Sequence, residues 1–532
     1  MDHSSSPSSI LPPSVPVACL NCREKHLKCD GNLTGCTRCK DLSLFCHFVP
    51  SRRGRRGRPW PYPGAIGDYP PLPVEPTGNA MMSPLESLPC AALEGSVICS
   101  SLPSPVDTEL VPLFFLHFHP AHPFLAPHDA FLHSSPPGYL LDVVQFISLH
   151  YLPASNVPDH THQLRTAVQE ADASLEKVQA LLLLSIIMHA RTQPREAKEC
   201  LGQAIGLSLD LGLHCREFSD AMEVQNPVGA ESARRTWWEI FIIDTLLAAV
   251  QVEGALQLTI ETPDLPLPCE MDEYQDGRLG IVPTSLRDMD RQALFHNDGD
   301  FSSAAYRVEA ATILRRCLIA SGNHVSHETI NILDVTISAW FHRLPSGKQA
   351  MLHHNGDVDQ MIFQSFMIMH CASIYLHFPK SYLLAFLPVT SHIFCSRPPT
   401  FTSSSANPQI HTAKVYGAAV NLSKLASLTT TVTSHSPFFV CTLVLSSIVQ
   451  LAIFTANPQQ STRTGRNFLA LNIGVLKSMG AVWAIAAASM ARIRDVAIEV
   501  ESALAGERRG LLDDQLTQSA LVDSQELDLT LL

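Results

Sequence analysis

From about Glu109 onward, apolar residues recur at intervals of three and four, and Pro-marked polar loops separate the runs. Leu175–Ala190 is apolar over too long and continuous a stretch for an ordinary strand, and predicts a buried helix. Arg195–Leu211 sets Ala197, Cys200, Leu201, Ala204, Ile205 and Leu209 close to one helical face, with Gly212 as terminator. Arg234–Val250 carries Trp237, Trp238, Phe241, Ile242, Leu246 and Leu247 and is apolar on most sides. Further helices are predicted over Glu328–Phe341, Val358–His377, Thr412–Leu428, Pro437–Phe454 and Gly465–Glu499. Alternating β-branched runs of useful length are few, so residues 109–490 are expected to form a large all-α body.

Pro437–Phe454 approaches membrane-spanning length. It contains Gln450 and two adjacent serines and lacks flanking basic anchors, so it predicts a buried core helix and no membrane partner. The periodicity is missing elsewhere. Residues 1–18 are a Ser/Pro-rich leader expected to be disordered, and 47–108 form a basic arm followed by a Pro/Ser/Gly-rich linker. The linker has no heptad pattern, so it offers no coiled coil, and bringing in a second copy falls to the helical body. Residues 491–532 comprise a helix end and a tail in which Leu516, Leu521, Leu527 and Leu529 alternate with Asp514, Asp523, Glu526 and Asp528. That composition suits an acidic-hydrophobic activation segment, and equally a solvated tail.

Charge sharpens this division. The net charge of the chain is -13, yet residues 19–58 hold ten Lys/Arg against three Asp/Glu, leaving a basic head on an acidic body. Such asymmetry suits a polyanion-binding module joined to a part that does not bind nucleic acid. Residues 1–18 have neither a basic n-region nor an apolar h-region, so a reducing intracellular compartment is expected, where close cysteine pairs more often hold metal than form disulfides.

Within the head, Cys19, Cys22, Cys29, Cys36, Cys39 and Cys46 follow the spacing C-x2-C-x6-C-x6-C-x2-C-x6-C, two near-identical halves. Six thiolates are too few for two separate tetrahedral zinc sites. They suffice for two Zn2+ per chain if two sulfurs bridge, because each metal then still has four ligands. A short helix from about Cys22 to Lys28 would project Arg23, Lys25 and Lys28 outward, and a turn is expected at Asp30-Gly31. Such a helix is too short to hold alone, so metal must supply its folding free energy.

Cys19–Cys46, with Cys-Arg-Glu-Lys-His-Leu-Lys-Cys-Asp-Gly at its centre, resembles the fungal zinc binuclear cluster (Zn2Cys6) transcription factors. The resemblance implies one zinc on Cys19, Cys22, Cys29 and Cys36. It implies a second on Cys36, Cys39, Cys46 and Cys19, with Cys19 and Cys36 bridging. It also implies two short helices around the binuclear cluster, and a nuclear regulator of RNA polymerase II genes whose recognition helix enters the major groove of double-stranded DNA at CGG-type triplets. Arg23, Lys25, His26 and Lys28 fall on its DNA-contacting positions. His26 stands where many members carry the principal base-reading lysine, and Thr34 where they usually have proline, so a differently built specificity is expected. In the body, Val178–Leu184, Leu201–His214, Glu231–Asp244 and Phe118–Phe124 resemble the family's middle homology region. The family associates that region with regulation, through ligands, coactivators or corepressors.

Arg52, Arg53, Arg55, Arg56 and Arg58 extend the positive head. Arg56-Gly57-Arg58-Pro59 matches the core of an AT-hook, an arginine segment for a narrow minor groove; a phosphate-contacting tail or nuclear-import signal has the same composition. His117, His119, His122, His128 and His133 are irregularly spaced and are expected to be structural. Arg235 and Glu239 stand at i,i+4 and predict a surface ion pair, while Asp244 predicts an arginine partner inside the bundle. No H-E-x-x-H, nucleophile elbow or phosphate loop is present, so an enzyme is not expected. The alternatives are a metal-binding transcriptional cofactor and a ligand-binding protein whose zinc cluster is purely structural.

Overall fold

The computed structural model describes residues 22, 25, 27–30, 36–42 and 107–502, apart from 153–156, 158, 252–253, 260–264, 278–283, 296–300, 322–324, 353–355, 387–406, 429–430 and 457–462. The predicted leader, the arm and linker as far as residue 106, and the tail beyond 502 lie outside the described residues. The chain divides into two units, 1–97 and 98–532. In the first, α1 spans Thr37–Asp41.

The second unit is built of helices: α2 (Asp107–His117), α3 (Gly138–Leu149), α4 (Leu175–Ala190), α5 (Pro194–Asp210), α6 (Pro227–Val250) and α7 (Ser303–Ala320). There follow α8 (His327–Arg343), α9 (Gln360–His377), α10 (Pro408–Leu425), α11 (Phe438–Ala456), α12 (Arg463–Met479) and a last helix, α13, over 484–502. Among the described residues there is no β-strand, only a single bridge between Leu352 and Val358. Local chemistry marks the ends. Ser174, Asn226, Ser302, Ser326 and Asp359 each cap a helix by accepting from a backbone amide of its first turn. Gly212, at φ +76°, ends α5 as predicted; the Leu213 amide reaches back to the Ser208 carbonyl at 2.9 Å.

The body is organised around α6, buried without interruption from Ala230 to Val250. Apolar packing alone does not describe it, because Glu231, Arg234, Arg235, Glu239 and Asp244 are buried along it. The expected surface pair Arg235–Glu239 does not form. Arg235 Nε instead donates to Glu231 Oε1 at 2.8 Å, and its Nη2 donates to the Cys269 carbonyl at 2.8 Å. Glu239 turns to α7, where Arg307 donates Nη1 to Oε2 at 2.5 Å and Nη2 to Oε1 at 2.9 Å. Opposite lies His122, with Nδ1 2.7 Å from Glu239 Oε1 and Nε2 3.0 Å from the Ser436 hydroxyl. Arg235 thus keeps an i,i+4 pair, but with Glu231 one turn back, while Glu239 faces neighbouring segments, because a carboxylate buried away from water needs a full set of partners. Asp244 has the predicted arginine: Arg315 Nη1 donates to Oδ2 at 2.8 Å, and the Gln257 and Leu258 amides complete the carboxylate's partners.

The same rule accounts for α11, which is long and apolar enough to cross a membrane yet is largely buried in the bundle. Its adjacent serines are satisfied by neighbouring helices. Ser446 donates to the Ala419 carbonyl at 2.8 Å, and Asn472 of α12 donates to Ser447 at 3.1 Å. The helix predicted over Gly465–Glu499 is two helices, broken between Met479 and residue 484. The break inserts fully buried Trp483 against Phe118, His150 and Tyr151.

Two consequences can be measured. Burial above all lowers His119, His150, His189, His370, His377 and His435 from 6.5 to about 4. The folded body therefore binds fewer protons than the unfolded chain between these values. Its stability is whole above pH 6.5 and drains as pH falls through about 4. The thermal midpoint by circular dichroism should fall across that window; a level midpoint contradicts the account. Secondly, burial alone would raise the Glu239 carboxyl, but Arg307 and His122 outweigh it and bring the group down to about 2. Glu239→Ala strands Arg307 and should cost about 3–5 kcal/mol in urea unfolding followed by tryptophan fluorescence. Adding Arg307→Met should recover most of that loss.

Candidate metal and nucleic-acid site

In the first unit, Cys22 lies in a helical turn that the Leu27 amide closes by donating to the Cys22 carbonyl at 2.7 Å. The turn brings Cys22 towards Cys29 and Cys36, and the Sγ atoms of these three lie within 4.8 Å of one another. Cys22 Sγ and Cys36 Sγ are 3.8 Å apart. A disulfide would need about 2.05 Å. Two thiolates at about 2.3 Å from one tetrahedral zinc stand about 3.8 Å apart, so the donor set has the size of a zinc site. Cys39 is buried beside them, whereas Cys19 and Cys46 lie outside the described residues. The histidines of the body make no such cluster: among the described residues, the His, Cys, Asp and Glu side chains that converge as potential ligands are Cys22, Cys29 and Cys36.

A second feature ties the two halves. Asp30, next to Cys29, turns its carboxylate onto the start of α1, next to Cys36. The Thr37 amide donates to Oδ1 and Oδ2 at 3.2 and 3.1 Å, and the Thr37 hydroxyl donates to Oδ2 at 2.5 Å. The Thr37 hydroxyl and amide hold the Asp30 carboxyl below its ordinary 3.8. Cys36 occupies the N-cap of α1, but its sulfur does not cap the helix amides, and Asp30 does so from across the loop. Sequence reading placed only a turn at Asp30-Gly31. The pattern that carries the clasp, an acceptor and a hydroxyl each directly after a cysteine, has no periodicity to reveal it.

Of the predicted DNA-contacting residues, Lys25 and Lys28 are exposed beside the cysteines. Arg23, His26, Arg52, Arg53, Arg55, Arg56 and Arg58 lie outside the described residues. Arg38 and Lys40, which the sequence reading did not single out, are exposed on α1. Exposed cations are thus present in both halves of the cysteine repeat.

Residues 17–56 match the fungal Zn(2)-Cys(6) binuclear cluster domain, and residues 111–314 match the fungal specific transcription factor domain. The C6 finger domain transcription factor iacK of Pestalotiopsis fici is 27% identical across 98% of this chain and 86% of its own length. The transcription factor rglT of Aspergillus fumigatus is 44% identical over 52 residues, 10% of this chain and 12% of rglT. No solved structure matches the chain. With a cysteine cluster of zinc-site dimensions, exposed cations beside it and both domain matches in sequence, the chain is similar along nearly its whole length to the fungal Zn2Cys6 transcription factors, and these matches support a zinc-cluster transcription factor that binds DNA.

Proposed function

We propose that this protein is a sequence-specific nuclear regulator of RNA polymerase II genes whose head, residues 19–46, folds around two Zn2+ and reads CGG-type triplets in the major groove. Cys19, Cys22, Cys29 and Cys36 hold one ion; Cys36, Cys39, Cys46 and Cys19 hold the other, Cys19 and Cys36 being shared. The convergence of the Cys22, Cys29 and Cys36 sulfurs carries this reading. When bound, zinc supplies the cross-links that a hydrophobic core would supply in a larger domain.

The protein's own residues do the recognition. Lys25 and Lys28, exposed near the cysteine turn, reach phosphates together with Arg23, and they set affinity without reading sequence. His26 takes the base-facing position with one hydrogen bond where a longer cation would reach two acceptors, so specificity rests more on spacing and shape. Arg52, Arg53, Arg55, Arg56 and Arg58 continue along the backbone or the minor groove. The helical region 109–490 brings a second copy and receives a coactivator or corepressor; it carries no catalytic role. Residues 1–18 and 47–108 act as leader and as arm with linker, and 491–532 end in the acidic-hydrophobic tail.

Metal analysis of the purified full chain should find two zinc ions per chain, and the chain should shift CGG-containing DNA. Chelation or Cys22→Ala should abolish the shift. Undiminished binding by the metal-free chain overturns the proposal, and one zinc per chain overturns the ligand assignment. Asp30→Ala should speed zinc release to a chromogenic chelator, and Asp30→Asn, which keeps an acceptor for the Thr37 amide, should do so less. Equal rates for all three proteins would remove Asp30 from the support of the site.

A further inference from the structure

Helix α8 has two apolar faces, and the bundle explains one. Ile330, Leu333, Ile337 and Trp340 are buried against the body. On the opposite side, at the heptad spacing of residues 328, 332, 335, 339 and 342, stand Glu328, Ile332, Val335, Ala339 and His342. Ile332 is 59% exposed and Val335 66%, two β-branched side chains one turn apart in the middle of a stable helix. Neither belongs there by helix propensity. Of the other exposed large apolar residues of the body, Tyr382 and Phe386 stand one turn apart directly before a stretch outside the described residues, and the rest, among them Leu116, Val224, Tyr416 and Ile498, have no second such residue within four positions along the chain. A single exposed residue needs no explanation; a stripe does.

The ends of the stripe say what covers it. Its N-terminal end is Glu328 and its C-terminal end is His342, with no Lys or Arg between them on this face. The acidic tail of the chain would face Glu328, and the one guanidinium at the border of this face, Arg343, is already held by Glu309 at 2.5 Å. A second copy laid antiparallel across a twofold axis at Val335 meets its complement: Val335 faces Val335, Ile332 lies beside Ser338 and Ala339, and each Glu328 carboxylate accepts from an imidazole N–H of the opposite His342. Parallel pairing would set Glu328 against Glu328. The outer polar positions Asn331 and Ser338 border the stripe and tolerate water at its rim.

We infer that the outer face of α8 is a homodimer interface, in which two copies pair antiparallel through Ile332, Val335 and the Glu328–His342 contact. This rests on the reading of the chain as a DNA-binding dimer brought together by its body, and it identifies the surface that does so. A contact built on one helix from each copy is small, so it is weak in free solution. It gains strength when both heads sit on one DNA, because the second contact then forms within a single assembly.

The test is sedimentation equilibrium of the zinc-loaded full chain, without DNA, at rising concentration. The wild type should show a monomer–dimer equilibrium. Val335→Glu sets two carboxylates face to face on the axis and should raise the dissociation constant at least about tenfold. Glu328→Arg and His342→Glu should each weaken the dimer by about threefold, and the double variant should restore it. These side chains are exposed, so the variants should keep the circular dichroism spectrum of the parent. A chain that remains monomeric, a Val335→Glu dimer of unchanged strength, or a double variant no better than the single ones overturns the interface. So does a chain that dimerises only after removal of residues 503–532, because the tail then covers the stripe. A monomer that still shifts CGG-containing DNA would refute the α8 interface alone. A dimer that binds no DNA would refute the DNA reading and leave the interface standing.

Discussion

Sulfur–metal bonding is the constraint on which the DNA-binding head depends, because its described residues form almost no other interior. Its buried residues among those described are Cys22, Cys36 and Cys39, with Cys29 packed against them. Leu27 and Leu42, the large apolar side chains among its described residues, are exposed. A helix of five residues such as α1 cannot pay its own nucleation cost. Structural zinc in small peptides supplies about 10–16 kcal/mol, ample for a segment of this size. The Asp30–Thr37 clasp adds a tie that needs no burial, closing the loop between the halves and satisfying the first amide of α1. Without the sulfur cross-links, Lys25, Lys28, Arg38 and Lys40 would have no fixed spacing to present to a regular polyanion.

The body solves the opposite problem. It has apolar surface in excess, and its specificity comes from charges placed where water cannot reach. Glu231 accepts from the Cys269 amide, Glu239 from Arg307 with His122 beside it, and Asp244 from Arg315, so the register of α6 against α7 and against the loop at His122 is fixed by directional bonds. A one-turn slip would leave a buried carboxylate and a buried guanidinium unpaired. The buried histidines add acid sensitivity to the same core, since most titrate at about 4 only because the fold keeps them neutral. An excess of cations over acids in the head and a net negative charge on the rest of the chain also direct DNA to the head.

Much of this was legible in the sequence where one physical rule acted alone. The cysteine spacing fixed which residues could meet around metal, and α5 could be read to its last turn because one face is apolar and Gly212 stops it. Reading was poorer where rules compete. Helix α7 escaped prediction because Arg307, Glu309 and Arg315 interrupt its apolar pattern, although all three are buried. The Arg235–Glu239 pair looked like a surface pair because i,i+4 spacing carries no information about what packs on top. The break before Trp483 depends on the ring's distant neighbours Phe118, His150 and Tyr151, which local periodicity cannot supply. The clasp at Asp30 likewise joins residues that nothing in the local pattern pairs.

The most direct measurement of the central claim is in vitro selection of DNA by the full chain, run in parallel with zinc bound and after chelation. A head that reads DNA through a zinc-fixed recognition turn predicts enrichment of CGG-type triplets from the zinc-loaded chain alone, with a defined spacing where two copies bind together. Enrichment that survives chelation, or a zinc-loaded chain that selects no sequence at all, would contradict it.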